Sequence, residues 1–266
     1  MGLYQNRIVI KIGTSTLTNN IGQNNPDFFN QLAYVLSDIK NLGYEIILVS
    51  SGATAIGASK LRMNIPPTDL RLKQAAAAVG QCKIMYLYDK FFSRYDKIIA
   101  QILLNSEDIE NNEKKENLIN TFESLIEMGV IPIVNENDSV SYTEIESKEK
   151  LFSDNDMLSA IVSILCKAKK LIILSDINGF YNSDPRLHPN AKLIKSVSTI
   201  DDKILSLAGG TGSRRGTGGM KAKLKAAKLA TEQGIDTIIA NGKNISFLHN
   251  IIKGEDIGTI FLGNKV

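Results

Sequence analysis

Two lysines, two clusters of acid and amide side chains and a glycine-rich turn hold most of the chemistry available to this sequence. Lys11 sits near the end of an apolar run, RIVIKIG, and is followed by Gly13, Thr14 and Ser15. A lysine inside such a run is costly to bury unless a negative group meets it. The backbone N–H groups and hydroxyls of Gly-Thr-Ser suit a phosphate. A snorkelling lysine beside a plain turn accounts for the same residues without a ligand. Further along, Gly216, Thr217, Gly218 and Gly219 precede Met220, Lys221, Ala222 and Lys223 in RRGTGGMKAKLKAA. A glycine turn ahead of a helix N-terminus attracts anions, and lysines one turn in can reach a bound phosphate. Lys225 and Lys228 read as a solvated helix face. The segment is neither a P-loop nor a complete G-x-G-x-x-G fingerprint.

The acid and amide clusters are NEND, with Asn135, Glu136, Asn137 and Asp138, and DND, with Asp154, Asn155 and Asp156. Four consecutive carboxylate or amide side chains closing an apolar strand exceed what turn chemistry requires. The DND triplet precedes the apolar run MLSAIVSILC. Helix capping explains one such side chain, not three. Ser50, Ser51, Gly52 and Ala53 join a strand to a helix, and small residues there let the backbone approach a ligand closely. In LSDINGFYNSDPR, Ser175 and Asp176 end another apolar run, while Phe180 and Tyr181 either flank a flat ligand or pack under the loop.

Periodicity shows how these residues are placed. Strand-length apolar runs at 7–13, 44–50, 98–104, 130–138, 170–175 and 235–240 alternate with helical segments at 26–43, 68–90, 115–129, after Asp154 and after Gly219. A last helix and strand end near Leu262, and 139–152 alternates weakly, as a hairpin would. Continuous Ile/Val/Leu strands alternating with helices indicate an α/β fold with a mostly parallel sheet covered on both faces. No repeat, linker or composition break divides residues 1–266, which points to a single domain. Ligands in such sheets bind beyond the carboxyl ends of the strands, where the singled-out residues fall.

Bulk properties narrow the classes. The 266 residues are 43% hydrophobic and 22% charged, which is globular composition. No apolar run is long enough to span a bilayer, and the N-terminus lacks a signal-peptide pattern. Cys82 and Cys166 are the two cysteines, which suits a reducing cytoplasm and excludes a disulfide framework. A net charge of +3 with 6% aromatics and no Trp gives little support for nucleic-acid binding. His188 and His249 are expected on the surface. Together, the lysine-and-glycine sites and the acid/amide clusters read as phosphoryl transfer between a nucleotide and a small polar molecule.

The segments VIKIGTSTLT (9–18), LVSSGATAIG (48–57), PIVNENDSV (132–140), SDNDMLSA (153–160), LSDINGFYNSDPR (174–186) and GTGGMKAKLKAA (216–227) resemble the amino acid kinase family. The match is closest to its branch that phosphorylates the γ-carboxylate of L-glutamate, and NEND followed by DND is its most specific element. The resemblance implies a three-layer α/β/α sandwich of the carbamate kinase-like type. It also implies ATP-dependent formation of L-glutamyl 5-phosphate, the first step of proline biosynthesis, in the cytoplasm. By position, Lys11 and Lys223 resemble the lysines that neutralise the transferring phosphoryl group, with Asp156 orienting both. Ser51, Gly52, Ala53, Asn135, Asp138 and Asn155 resemble the acceptor site, and Asp138 suits an α-ammonium. Lys11, Gly13, Ser175, Asp176, Thr217, Gly218, Gly219, Met220, Lys221, Ala222 and Lys223 correspond to the ATP site.

The same resemblance implies Mg²⁺ held mainly by the nucleotide, with no protein metal cage. It further implies a homo-oligomer of four or two chains, channelling to glutamyl phosphate reductase, and no membrane or nucleic-acid partner. Many members carry an additional C-terminal PUA domain, and this chain is expected to be the kinase core without it. Lys221 stands where a small residue is more usual, Ser153 stands where glycine is expected, and Arg214-Arg215 adds positive charge nearby. Two alternatives stay open at this stage. One is a family member acting on another small acceptor; the other is a non-catalytic nucleotide- or RNA-binding module.

Overall fold

The computed structural model describes residues 6–18, 25–63, 67, 69–140, 154–208 and 219–265. Its strands are β1 (Arg7–Ile12), β2 (Glu45–Ser50), β3 (Ile99–Leu104), β4 (Ile131–Glu136), β5 (Lys170–Ser175), β6 (Ser196–Val197), β7 (Asp236–Asn241) and β8 (Thr259–Phe261). Its α-helices are α1 (Thr14–Leu17), α2 (Pro26–Asn41), α3 (Ala53–Lys60), α4 (Leu70–Phe92), α5 (Ser106–Glu110), α6 (Asn112–Glu127), α7 (Asn155–Leu165), α8 (Asp202–Leu207), α9 (Met220–Glu232) and α10 (Leu248–Ile252). The strands form one sheet in the order β3-β4-β2-β1-β5-β7-β8-β6. Pairing is parallel from β3 to β7, β8 runs antiparallel to β7, and β6 pairs parallel to β8.

The mostly parallel sheet matches the expectation from the continuous apolar runs. The first four strands occupy one half of the sheet and the last four the other, so the halves meet at the β1/β5 pair. Ligand crevices in open α/β sheets form at such a reversal of strand order. Lys11 and Gly13 therefore stand at the crevice because β1 ends there.

Strand alternation decides which way Lys11 points. Ile8, Ile10 and Ile12 enter a core shared with Phe29, Leu32, Leu36, Ile56, Tyr88 and Phe92 from α2, α3 and α4. Val9 enters the opposite core, with Phe122, Leu158, Val162, Leu224 and Ala227 from α6, α7 and α9. The two-residue period of a strand puts Lys11 on the Val9 face, toward α7 and α9.

Local signals set most helix ends. Pro26 begins α2, with Asn25 capping Phe28 N–H at 3.2 Å, and Gly43 turns out of the helix at φ +91°. Asn111 accepts from Lys114 N–H at 3.0 Å, so α6 starts at Asn112, ahead of the expected 115. The expected hairpin at 139–152 falls, from residue 141 on, outside the described residues. Short α1, α5, α8 and β6 have too few residues to show a period.

The Ala-rich helix expected at 68–90 is α4 (Leu70–Phe92), and the helix expected after Ala53 is α3 (Ala53–Lys60). Gly57 and Gly80 set how closely the two pack. A Cβ on Gly80 would lie 1.8 Å from the Ala53 carbonyl oxygen, and one on Gly57 would lie 1.7 Å from that of Ala76. The helices thus touch backbone to backbone, which fits the N-terminus of α3 against the residue after Gly80. Gly80→Ala gains some helix propensity but overpacks this contact. It is expected to destabilise the fold by about 2 kcal/mol or more, measured as a lower urea midpoint with unchanged slope.

Candidate active site

Asp156, the second residue of α7, is 2% exposed. Its Oδ1 lies 2.6 Å from Lys11 Nζ and its Oδ2 accepts from Lys223 Nζ at 2.9 Å. The lysines are 7% and 8% exposed and come from β1 and the first turn of α9, so three distant segments meet on one carboxylate. Burial opposes ionisation of Asp156, but the two ammonium groups outweigh it and hold the carboxyl below its usual range. Burial pushes the Lys11 ammonium below the ordinary lysine value, against the pull of Asp156. Two buried ammonium groups are thus gathered on Asp156, with the Asp154 carboxylate adding attraction on Lys11, an arrangement suited to a ligand phosphate.

Asp154 caps α7, with its Oδ1 accepting from the N–H groups of Asp156 at 2.9 Å and Met157 at 3.0 Å. The three polar residues of DND therefore divide their work. Asp154 holds the helix end, Asp156 holds the lysines, and Asn155 faces the other side. Asn155 Nδ2 donates to Ser50 O at 3.1 Å, Ser51 Oγ at 2.8 Å and Asn135 Oδ1 at 3.1 Å. Asn135, fully buried at the end of β4, donates in turn to Gln81 Oε1 at 3.0 Å. Ser50 Oγ meets the buried Tyr88 hydroxyl at 3.0 Å.

Two cavities flank this centre. One, of about 320 Å³, is lined by Ser175, Asp176, Tyr181, Arg186, Gly219 and Lys223 among others. The second, of about 280 Å³, is lined by Ala53, Gln81, Cys82, Gln101, Glu136 and Asp138 among others. Lys223 lines the first and Asp138 the second, while Asn155 and Asp156 sit side by side at the start of α7. Gly52 turns at φ +88° where a Cβ would come within 3.3 Å of Thr14, so the turns after β1 and β2 lie against each other. Gly13 needs its small size less: a Cβ there would sit 3.7 Å from Lys11 Nζ, ordinary contact.

The structure brings together Lys11, Lys223, Asp156, Asn155, Ser51 and Asn135, and lines the two cavities with Ala53, Asp138, Ser175, Asp176, Gly219 and Met220, while Gly13, Gly52, Lys221 and Ala222 line neither. Lys221 is exposed at the start of α9 and lines neither cavity. Thr217 and Gly218 lie outside the described residues. Phe180 is buried and packs against Phe261 with ring centroids 6.1 Å apart, whereas Tyr181 lines the first cavity. Gln81, Gln101 and Arg186 were not singled out from the sequence. Gln81 follows Gly80, just after the alanine run 75–78, and nothing but that glycine marks the place where α4 reaches the site. His188 is exposed, and His249 lies at the surface 2.7 Å from Asp38.

The family model described as Amino acid kinase family matches residues 6–241, and the chain belongs to that family. It is therefore an ATP-using phosphotransferase, a kinase. Its relatives include proteins named glutamate 5-kinase. That of Clostridium perfringens is 54% identical over 97% of this chain and 96% of its own length. That of Enterococcus faecalis is 48% identical over 96% and 94%, and that of Listeria monocytogenes 47% over 97% and 94%. Among solved structures, a UMP kinase from Bacillus anthracis superposes with a TM-score of 0.65 at 15% identity, covering 98% of both chains. An isopentenyl phosphate kinase from T. acidophilum gives 0.64 at 15% identity, over 96% of this chain and 99% of its own. These two show the shared fold. No helix among the described residues is long and apolar enough to cross a membrane.

Asp156→Asn leaves two buried ammonium groups without their partner, a change that costs about 3–5 kcal/mol in buried pairs. Because the folded pKa of Asp156 is depressed, its contribution is present above the unfolded carboxylate value near 3.9 and is lost as pH falls through the folded value. Urea unfolding is expected to show the full gap between the native chain and the variant at pH 6–7. The gap should narrow progressively below about pH 4.

Proposed function

We propose that this protein transfers the γ-phosphoryl group of ATP to the γ-carboxylate of L-glutamate, giving L-glutamyl 5-phosphate for proline biosynthesis. The observation that carries the reading is the clamp of Lys11 and Lys223 on Asp156, with an acid- and amide-lined cavity on its far side. ATP occupies the 320 Å³ cavity, against Ser175, Asp176, Gly219, Met220 and Lys223, with Lys11 and Gly13 at its phosphate end. Met220, Lys221 and Ala222 belong to the first turn of α9, and Thr217 and Gly218, assigned to the ATP site by resemblance, lie outside the described residues. Glutamate occupies the 280 Å³ cavity, which Ala53 and Asp138 line, and Ser51, Gly52, Asn135 and Asn155 are the further acceptor-binding groups of this reading. Asp138 meets the α-ammonium, a cation whose charge it complements and that a phosphate-bearing acceptor lacks.

The reaction needs positioning and charge neutralisation more than covalent chemistry. A γ-carboxylate oxygen forms a bond to the γ-phosphorus while the bond to the β–γ bridging oxygen breaks, and ADP leaves with that electron pair. Lys11 and Lys223 lie on the clamp between the two cavities and neutralise charge on the moving phosphoryl group. Asp156 keeps both lysines aimed. The acceptor carboxylate is already ionised at neutral pH, given a reference pKa near 4.3, so no general base is required.

Mg²⁺ fits a site of this kind without a protein cage. Among the described residues no group of three or more His, Cys, Asp or Glu side chains is arranged to hold a metal. Mg²⁺ commonly binds through substrate phosphates and one or two carboxylates, and Asp176 in the nucleotide cavity is such a carboxylate. When bound, the ion screens the β- and γ-phosphate charge. We further propose that residues 1–266 act as one catalytic domain in the cytoplasm, as a dimer or tetramer. Both cysteines are free thiols, which fits a reducing compartment. Hand-over of the labile acyl phosphate to glutamyl phosphate reductase follows from its reactivity.

ADP release with MgATP and L-glutamate, with hydroxylamine trapping the acyl phosphate as hydroxamate, tests the reaction directly. Hydroxamate is expected with glutamate and not with aspartate, N-acetylglutamate or UMP. No turnover with any acceptor would overturn the reading in favour of a binding module. Lys11→Ala and Lys223→Ala are each expected to lower kcat on the order of 10² or more. Asp138→Ala is expected to raise the glutamate KM far more than the ATP KM, which steady-state titration of each substrate reads.

A further inference from the structure

We infer that Gln81 is a specificity-determining residue whose side-chain amide donates a hydrogen bond to the α-carboxylate of the acceptor amino acid. The inference rests on the glutamate reading above and deepens it. Gln81 is 8% exposed, lines the 280 Å³ cavity, and its Nε2 is a buried donor with no partner among the described residues. A buried N–H left unpaired is disfavoured, so such a group on a residue of a cavity wall marks the place of an acceptor.

The orientation of this amide follows from a chain of hydrogen bonds that begins at a backbone carbonyl. Ser50 O can only accept, so Asn155 must turn its NH₂ toward it. Asn155 Nδ2 therefore also meets Asn135, which must present its oxygen. Asn135 then turns its own NH₂ to Gln81, and Gln81 answers with Oε1. Reversing any one amide would set donor against donor or acceptor against acceptor along the chain. Gln81 Nε2 is thus left as the terminal donor, and its matching ligand group is an oxygen acceptor, best an anionic one.

The same cavity carries Asp138, an acid that complements a cation. A donor and an acid in one wall are complementary to the two charged groups on the α-carbon of an amino acid. Cys82, the neighbour of Gln81, is an exposed thiol on the same cavity and reports occupancy independently of turnover. Burial pushes the Cys166 thiol up and keeps it from alkylating reagents, so iodoacetamide reads Cys82.

The test uses the full chain, with Gln81→Glu, which keeps the acceptor for Asn135 but removes the donor, and Gln81→Met as a second variant. Glutamate KM is expected to rise about 10-fold or more in each, with the ATP KM within about twofold, the loss of one charge-assisted hydrogen bond. Protection of Cys82 from iodoacetamide is then titrated with L-glutamate and with 4-aminobutyrate, which lacks the α-carboxylate. The preference for glutamate over 4-aminobutyrate is expected to shrink about 10-fold in Gln81→Met, as a double cycle between the two groups requires. An unchanged preference, an equal rise in both KM values, or native protein whose Cys82 glutamate does not protect would each overturn the assignment. Absence of hydroxamate formation in the native protein would instead overturn the reaction itself.

Discussion

A single buried carboxylate organises this protein. Asp156 holds Lys11 on one oxygen and Lys223 on the other, and neither lysine would be tolerable at its depth without it. At the opposite end of the sheet, buried Arg7 meets Glu45 and Glu123, each at 2.7 Å, and Cys166 O at 2.6 Å, so that one cation is answered by two carboxylates and a carbonyl. At the Asp156 end two buried ammonium groups are drawn onto one carboxylate.

The rest of the architecture serves to deliver three segments to that carboxylate. The β1/β5 border puts the end of β1 at the point where the sheet reverses its winding, and strand alternation turns Lys11 toward α7. Asp154 starts α7 so that Asn155 and Asp156 follow in its first turn, Asn155 bonded to Ser50, Ser51 and Asn135 and Asp156 to the two lysines. Backbone contact between α3 and α4 at Gly57 and Gly80 brings Ala53 and Gln81 to the 280 Å³ cavity. A one-directional run of amides, from Ser50 O through Asn155 and Asn135 to Gln81, ties the two sides into one unit.

Much of this was legible in the chain. Lys11 inside RIVIKIG was already anomalous as a strand residue, and DND carried more polar groups than a cap can use. Both anomalies resolve into the same ion-paired cluster. Capping stoichiometry implied that one DND side chain suffices as the cap, and the separate roles of Asn155 and Asp156 were implied by the family resemblance. The helix after Ala53 and the helix at 68–90 were both legible, but their close packing was not, because alanine runs have no hydrophobic period that says which face meets which. Gln81 went unnoticed because a glutamine in an alanine-rich helix has no signature in composition or spacing.

What the sequence determined by itself was each element and each chemical group: where strands start and stop, which helix ends are capped, and which side chains carry charge against their apolar setting. These are local properties, set by propensity, alternation and hydrogen-bonding capacity within a few residues. What only the tertiary structure decided was the company those groups keep. Lys223 lies 67 positions from Asp156, and Gln81 lies 54 from Asn135. No local rule chooses such partners; packing of the helices on a sheet whose order is not the chain order does. The direction of the amide chain, and with it the donor at Gln81, exists only once that packing has brought Ser50 O to Asn155.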